Sequence, residues 1–195
     1  MYNANYLKQK AIEWLKYYYP SSNITTELSI SSYGKTSIDV ASINEDKIIG
    51  IEIKGDGDNT SRLELQGPAY SLSLQKIFLL CSPSLEEKCF KKYPDKWGWG
   101  FLRIENNKIK TKSNAIDIIC NSPEMLSSML WTYELKELCD SLNISVKRKD
   151  NKKYKPRRED YIYKLVEDFP LPKLRKEICK KLYNRKWDLT EKKIY

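Results

Sequence analysis

The octapeptide Lys47-Ile48-Ile49-Gly50-Ile51-Glu52-Ile53-Lys54 is apolar almost without a break. Such a run suits a strand covered on both faces, so the rest of the chain must be layered around it. Side chains alternate along a strand. Glu52 and Lys54 therefore share one face while Ile51 and Ile53 take the other. A carboxylate and an ammonium group buried beside a central strand are costly unless they pair or coordinate an ion.

The flanking segments supply the layers. Residues 4–18 read as an amphipathic helix with Leu7, Ala11, Trp14, Leu15 and Tyr18 on one stripe, stopped by Pro20. Strands are predicted over Ile24–Ile30 and Ser37–Ile43, with Tyr33-Gly34-Lys35 as a turn between them and Asn44-Glu45-Asp46 as a hairpin loop. After the central strand come a polar loop, a helix to about Leu74, and an apolar strand over Lys76–Cys81. A short helix from Leu85 to Tyr93 follows, then a strand from Trp97 to Ile104 that turns at Glu105-Asn106-Asn107 into Lys108-Ile109-Lys110. Helices alternating with strands in this order predict an α/β (α+β) fold with a mixed central sheet between helices. The body is expected to end near residue 120. Ser122-Pro123-Glu124 starts a helix to about Ser141, Glu159–Glu167 forms a second, and Pro172 opens a third ending near Asn184.

Composition narrows the chemistry. The chain has no histidine, which excludes a His general base, Ser-His-Asp and Cys-His catalysis, and any zinc site built on His. The net charge of +9 is concentrated at one end. Residues 131–195 hold 19 Lys+Arg against 11 Asp+Glu, leaving 16 against 15 for the first 130 residues. A neutral body with a basic tail region points to a polyanionic partner, most simply nucleic acid. Five separated cysteines without a CxxC pair read as reduced thiols. With no signal peptide and no membrane-length apolar run, the expectation is a cytoplasmic protein without a membrane partner.

Catalysis must then use carboxylates, Lys, Tyr or a metal. With a turn centred near Glu45, Asp39 stands nearly opposite Glu52, within reach of one cation. Mg²⁺ suits such oxygen donors and keeps waters of its own, with Mn²⁺ as a substitute. Lys54 on the same face is placed to stabilise charge on an attacked phosphate or help deprotonate a water. Asp56 and Asp58 mimic the start of a calcium loop, but Gly67 stands where the closing Glu is required, which excludes an EF-hand.

Ser37-Ile38-Asp39 followed by Gly50-Ile51-Glu52-Ile53-Lys54 resembles the PD-(D/E)XK nuclease signature, with Ile38 in the place of the proline. Gln66-x-x-x-Tyr70 is similar to the QxxxY motif of the RecB-type branch. The stretch from Asp39 to Leu80, with Arg62-Leu63-x-x-Gln66, resembles small bacterial and phage proteins that join this core to a helical C-terminal part. The resemblance implies a restriction-endonuclease-like core, metal-dependent hydrolysis of DNA, and a catalytic set of Asp39, Glu52, Lys54 and Gln66. It also implies a metal-contacting acid from the first helix, where Glu13 is the best match, with Glu27 on the first strand as competitor.

The expected division is a nuclease-like body over residues 1–120 and a basic helical part over 121–195, whose helix–extended–helix pattern resembles a SAP-like DNA-binding module. Lys147, Arg148, Lys149, Lys152, Lys153, Lys155, Arg157 and Arg158 are its candidate phosphate contacts, and Tyr154 is a candidate for stacking on a base. The resulting expectation is a Mg²⁺-dependent DNA endonuclease of phage or bacterial origin acting in the bacterial cytoplasm. Enzymes that cut both strands often work as dimers, which leaves a homodimer open. The alternatives are a catalytically inactive nuclease-fold DNA-binding protein and a phage antagonist of a host defence system.

Overall fold

The central strand is covered on both faces. In the computed structural model, which describes residues 2–30, 36–148, 150 and 153–187, every residue of Ile48–Lys54 is buried. This strand, β3, lies inside a six-stranded sheet with β1 (Asn23–Ser29), β2 (Ser37–Ile43), β4 (Lys76–Cys81), β5 (Gly100–Glu105) and β6 (Lys108–Ser113), in spatial order β1-β2-β3-β4-β5-β6. The three middle strands β3, β4 and β5 run parallel, while β1, β2 and β6 are antiparallel to their neighbours, so the sheet is mixed. The predicted turn at Tyr33-Gly34-Lys35 lies outside the described residues.

One face is covered by α1 (Ala4–Tyr18). Leu7, Ala11, Trp14 and Leu15, at the predicted helical spacing, pack with Val40, Ile49, Ile51, Ile53 and Phe78. Asn3 caps the helix through its side chain, accepting from the Tyr6 amide at 2.9 Å. The other face carries α2 (Leu63–Ser73), entered through a single turn of 3₁₀ helix at Thr60–Arg62 that Asn59 caps. Gly50 lets α2 come close: a Cβ there would lie 2.6 Å from Leu74 Cδ1 and 2.9 Å from Ile38 Cγ1.

Helices α3 (Glu86–Lys92) and α4 (Pro94–Trp97) lead to β5. The expected strand start at Trp97 is overtaken by α4, which Gly98 ends in a left-handed conformation (φ 68°). The predicted helix over 123–141 is two helices, α5 (Pro123–Ser127) and α6 (Thr132–Ser141). The Glu134 carboxylate accepts from the Trp131 amide at 2.7 Å and starts a new helix there. Helices α7 (Arg158–Asp168) and α8 (Leu171–Asn184) follow among the described residues. Leu126, Leu130, Leu135, Leu165, Leu174 and Ile178 share one buried cluster with Leu28, Ile30 and Ile38 of the sheet, so the C-terminal helices continue the core on the α2 face.

Candidate active site

The site begins with a fault in the sheet. The β2–β3 ladder ends at Val40↔Ile51 and does not continue to Asp39. The Asp39 carboxylate takes over there, accepting from the Ile53 amide at 2.7 Å. Ile38 and Val40 would share a face in a regular strand, yet Ile38 joins the α2-side cluster and Val40 the α1-side cluster. Strand β2 therefore twists over at Asp39. Glu27, across from it between the pairs Thr26↔Val40 and Leu28↔Ile38, adopts φ 53°, a left-handed conformation that costs a non-glycine residue about 1 kcal/mol or more.

The opening holds the predicted catalytic groups together. Asp39, Glu52, Lys54 and Gln66 line one cavity of about 530 Å³, with Lys8, Glu27 and Arg62 around them. Glu52 is 2% exposed and accepts from Lys54 Nζ at 2.5 Å. Its other oxygen lies 2.8 Å from the Tyr70 hydroxyl, which is also 2.8 Å from the Ser37 carbonyl. The single phenolic proton serves one of these acceptors at a time. Tyr70 is buried on α2 one turn beyond Gln66, so i, i+4 spacing brings both to the same wall. Gln66 Oε1 is buried and has no hydrogen-bond partner among the described residues.

The electrostatics follow from this burial. Removal from water pushes the Asp39 carboxyl up to about 7; the Glu52 charge adds to the rise and the Ile53 amide opposes it. Burial likewise raises Glu52, against the opposing pull of Lys54 and the Tyr70 hydroxyl. Tyr70 is raised far above an ordinary phenol, chiefly by burial and then by the Glu52 charge, so it stays protonated.

Two further acids need separate treatment. Glu13 does not reach this cavity: it is exposed, pairs with Lys10 at 3.0 Å, and lines a different depression between α1 and the β5–β6 turn. Its helical phase is the reason, since Leu7, Ala11 and Leu15 face the sheet and Glu13 lies nearly opposite Ala11 on the helix. Glu27, the competitor, does line the cavity, with its carboxylate held by Lys8 Nζ and Ser37 Oγ. Among the described residues no group of three or more His, Cys, Asp or Glu forms a metal centre. Asp56, by contrast, is spent on the fold, accepting from the Tyr2 amide and from Ser84 Oγ, each at 2.7 Å.

The basic segment is only partly exposed. Lys147, Lys153, Tyr154 and Lys155 are exposed, while Lys149 and Lys152 lie outside the described residues. Arg148 is bound to Asp150 at 2.6 Å and sits over the Tyr154 ring; Arg157 pairs with Asp150 at 3.2 Å. Arg158 is a correction to the phosphate-contact set. Its guanidinium donates to the Ser128 and Leu130 carbonyls and closes the end of α5. All five cysteines are free. Among the described residues no helix is long and apolar enough to cross a membrane.

No curated protein matches the chain. Among solved structures it is similar to a protein of unknown function from Silicibacter pomeroyi, at 15% identity and TM-score 0.48, over 70% of this chain and 89% of that one. A family model described as Bacteriophage P4 protein cII matches residues 2–191, nearly the whole length, and the chain belongs to that family.

Proposed function

We propose that this protein is a metal-dependent nuclease of the PD-(D/E)XK type, cutting DNA phosphodiester bonds endonucleolytically. The observation that carries the reading is that Asp39, Glu52 and Lys54, three groups from a broken strand and its central neighbour, line one open cavity. The oxygen donors suit a hard cation. Two carboxylates whose burial disfavours their charge would gain from a positive partner, and Gln66 Oε1 adds a buried oxygen without a partner among the described residues. Asp39 and Glu52 would hold Mg²⁺ or Mn²⁺; when bound, the ion supplies a Lewis acid and lowers the pKa of a bound water.

The chain's own groups do the rest. The Ile53 amide fixes the Asp39 carboxylate, and Tyr70 fixes that of Glu52. Lys54 Nζ, beside Glu52, would donate to a phosphate oxygen as negative charge grows on it. Arg62, which also lines the cavity, would favour entry of a polyanion. Lys147, Lys153 and Lys155 on the C-terminal part offer further phosphate contacts.

The test is supercoiled plasmid DNA with Mg²⁺ or Mn²⁺. Wild type should nick or linearise it, chelation by EDTA should stop the reaction, and Asp39→Ala and Glu52→Ala should abolish it. Cleavage that persists in both variants refutes the site. A wild type that retards DNA without cutting it points instead to a binding protein that kept the fold.

A further inference from the structure

The second half of α1 carries a surface that the carboxylate cavity does not use. Together with the β5–β6 turn it forms a depression of about 610 Å³ lined by Trp14, Tyr17, Tyr18, Lys108, Lys110 and the Lys10–Glu13 ion pair. Ala4 and Lys8 of the same helix line the carboxylate cavity, so the two surfaces lie on different flanks of α1.

Its chemistry is specific. Tyr17 is 79% exposed and Tyr18 is 55% exposed. The rings form a connected run: Tyr18 lies 4.7 Å from Trp14 between centroids, and Tyr17 lies 5.0 Å from Tyr18 at 80°. Trp14 Nε1 is buried with no acceptor among the described residues, an unpaired donor beneath the run. Lys16, Lys108 and Lys110 are exposed and have no carboxylate partner among the described residues. Asn106 and Asn107 take left-handed conformations (φ 48° and 61°), which makes the turn tight and brings the start of β6 beside α1. Lysines on an edge strand guard against pairing with another sheet. That role needs no exposed aromatic rings.

We infer that this shelf binds single-stranded nucleic acid, with the Tyr17 and Tyr18 rings stacking on bases and the lysines meeting phosphates. Unpaired bases offer free π-faces, whereas a duplex hides them, and the cationic rim matches a polyanion. The inference goes beyond the nuclease reading and does not depend on it.

The experiment is fluorescence anisotropy of a short labelled oligo(dT) with the full chain in EDTA, where no metal-dependent hydrolysis occurs. Tyr17→Ala/Tyr18→Ala should weaken binding about tenfold or more, as expected for lost base stacking. Tyr17→Phe/Tyr18→Phe should retain binding. A duplex of the same length should be indifferent to the tyrosines. Oligo(U) in the same assay shows whether the sugar matters; dependence on the tyrosines with either oligomer supports the shelf. Tyr17→Ala alone, at an almost fully exposed position, controls for folding through an unchanged Tm. The inference falls if wild type does not bind the oligomers, if the double alanine variant binds within about twofold of wild type, or if the phenylalanine variant loses as much as the alanine one. Failure to cut plasmid sinks the nuclease reading and leaves this measurement standing.

Discussion

Replacing Asp39 by Asn should make the protein more stable at pH 8, although it removes a group the proposed chemistry requires. An ordinary aspartate titrates near ~3.9. In the fold Asp39 is pushed up to about 7, first by burial and then by the Glu52 charge. A raised carboxyl means that the folded state holds its proton longer than the unfolded chain. The associated stability is present below ~3.9, declines as pH rises, and is gone once pH passes about 7. At ~1.36 kcal/mol per pH unit the full effect has a ceiling of ~4 kcal/mol. Most of it falls between pH 5 and 8, and partial exposure of the side chain reduces the realised difference to about 2 kcal/mol. Asparagine keeps an oxygen for the Ile53 amide and carries no charge, so Asp39→Asn should escape this loss. For a chain of this size the gain corresponds to about 4–8 °C in Tm. Thermal unfolding followed by circular dichroism in EDTA, at pH 5 and pH 8, measures it. The variant's advantage should grow with pH, and added Mg²⁺ should raise the Tm of wild type at pH 8 but not that of the variant. A variant less stable than wild type at pH 8, or a difference independent of pH, refutes the placement of Asp39 as a partly buried carboxyl whose one amide partner does not offset its loss of water.

Two other outcomes follow from the geometry. Glu13→Gln should leave plasmid cleavage within about twofold of wild type because the side chain sits outside the cavity, whereas Glu27→Gln should reduce it by more than tenfold; equal effects, read as initial nicking rates, would place neither acid correctly. A chain ending at residue 120 should fail to fold cooperatively, seen as loss of a sharp thermal transition, since it exposes the sheet face that α5, α6 and α8 cover.

Much of the fold was legible because the relevant signals are local. The stripe Leu7, Ala11, Trp14, Leu15 gave α1 its full extent, and the apolar runs gave β2 and β4 their limits. The turn near Glu45 also followed from strand lengths, and its ladder stops at Val40↔Ile51, one step short of Asp39 and Glu52. What escaped depends on partners distant in sequence or on backbone detail. The break before α6 needs the Glu134 carboxylate, which Arg185 also holds from 51 residues away. Arg158 looks like its basic neighbours in sequence, yet it faces two free carbonyls at the end of α5. The twist at Asp39 and the left-handed Glu27 leave no trace in composition. Glu13 is a different case: its helical phase was readable, and it alone excludes the side chain from a site on the sheet.

Charge and packing divide this chain differently. Counting charges separates a neutral body from a basic C-terminal third, but the buried residues draw no such line. Asn121, at the proposed boundary, is buried and bonds to Gln75 and to the Leu74 carbonyl, tying the start of the C-terminal helices to the loop before β4. Arg185 near the far end is buried against Glu134 and stacks between Trp131 and Trp187. Amphipathic helices reconcile the two views: Leu174, Ile178 and Leu182 of α8 face the core while Lys173, Lys176 and Lys180 lie toward solvent. A basic region that also supplies part of the core holds the charges on its packed helices at fixed positions. Under the proposed nuclease reading, charges so held would orient a polyanion, where a tethered tail could only raise its local concentration.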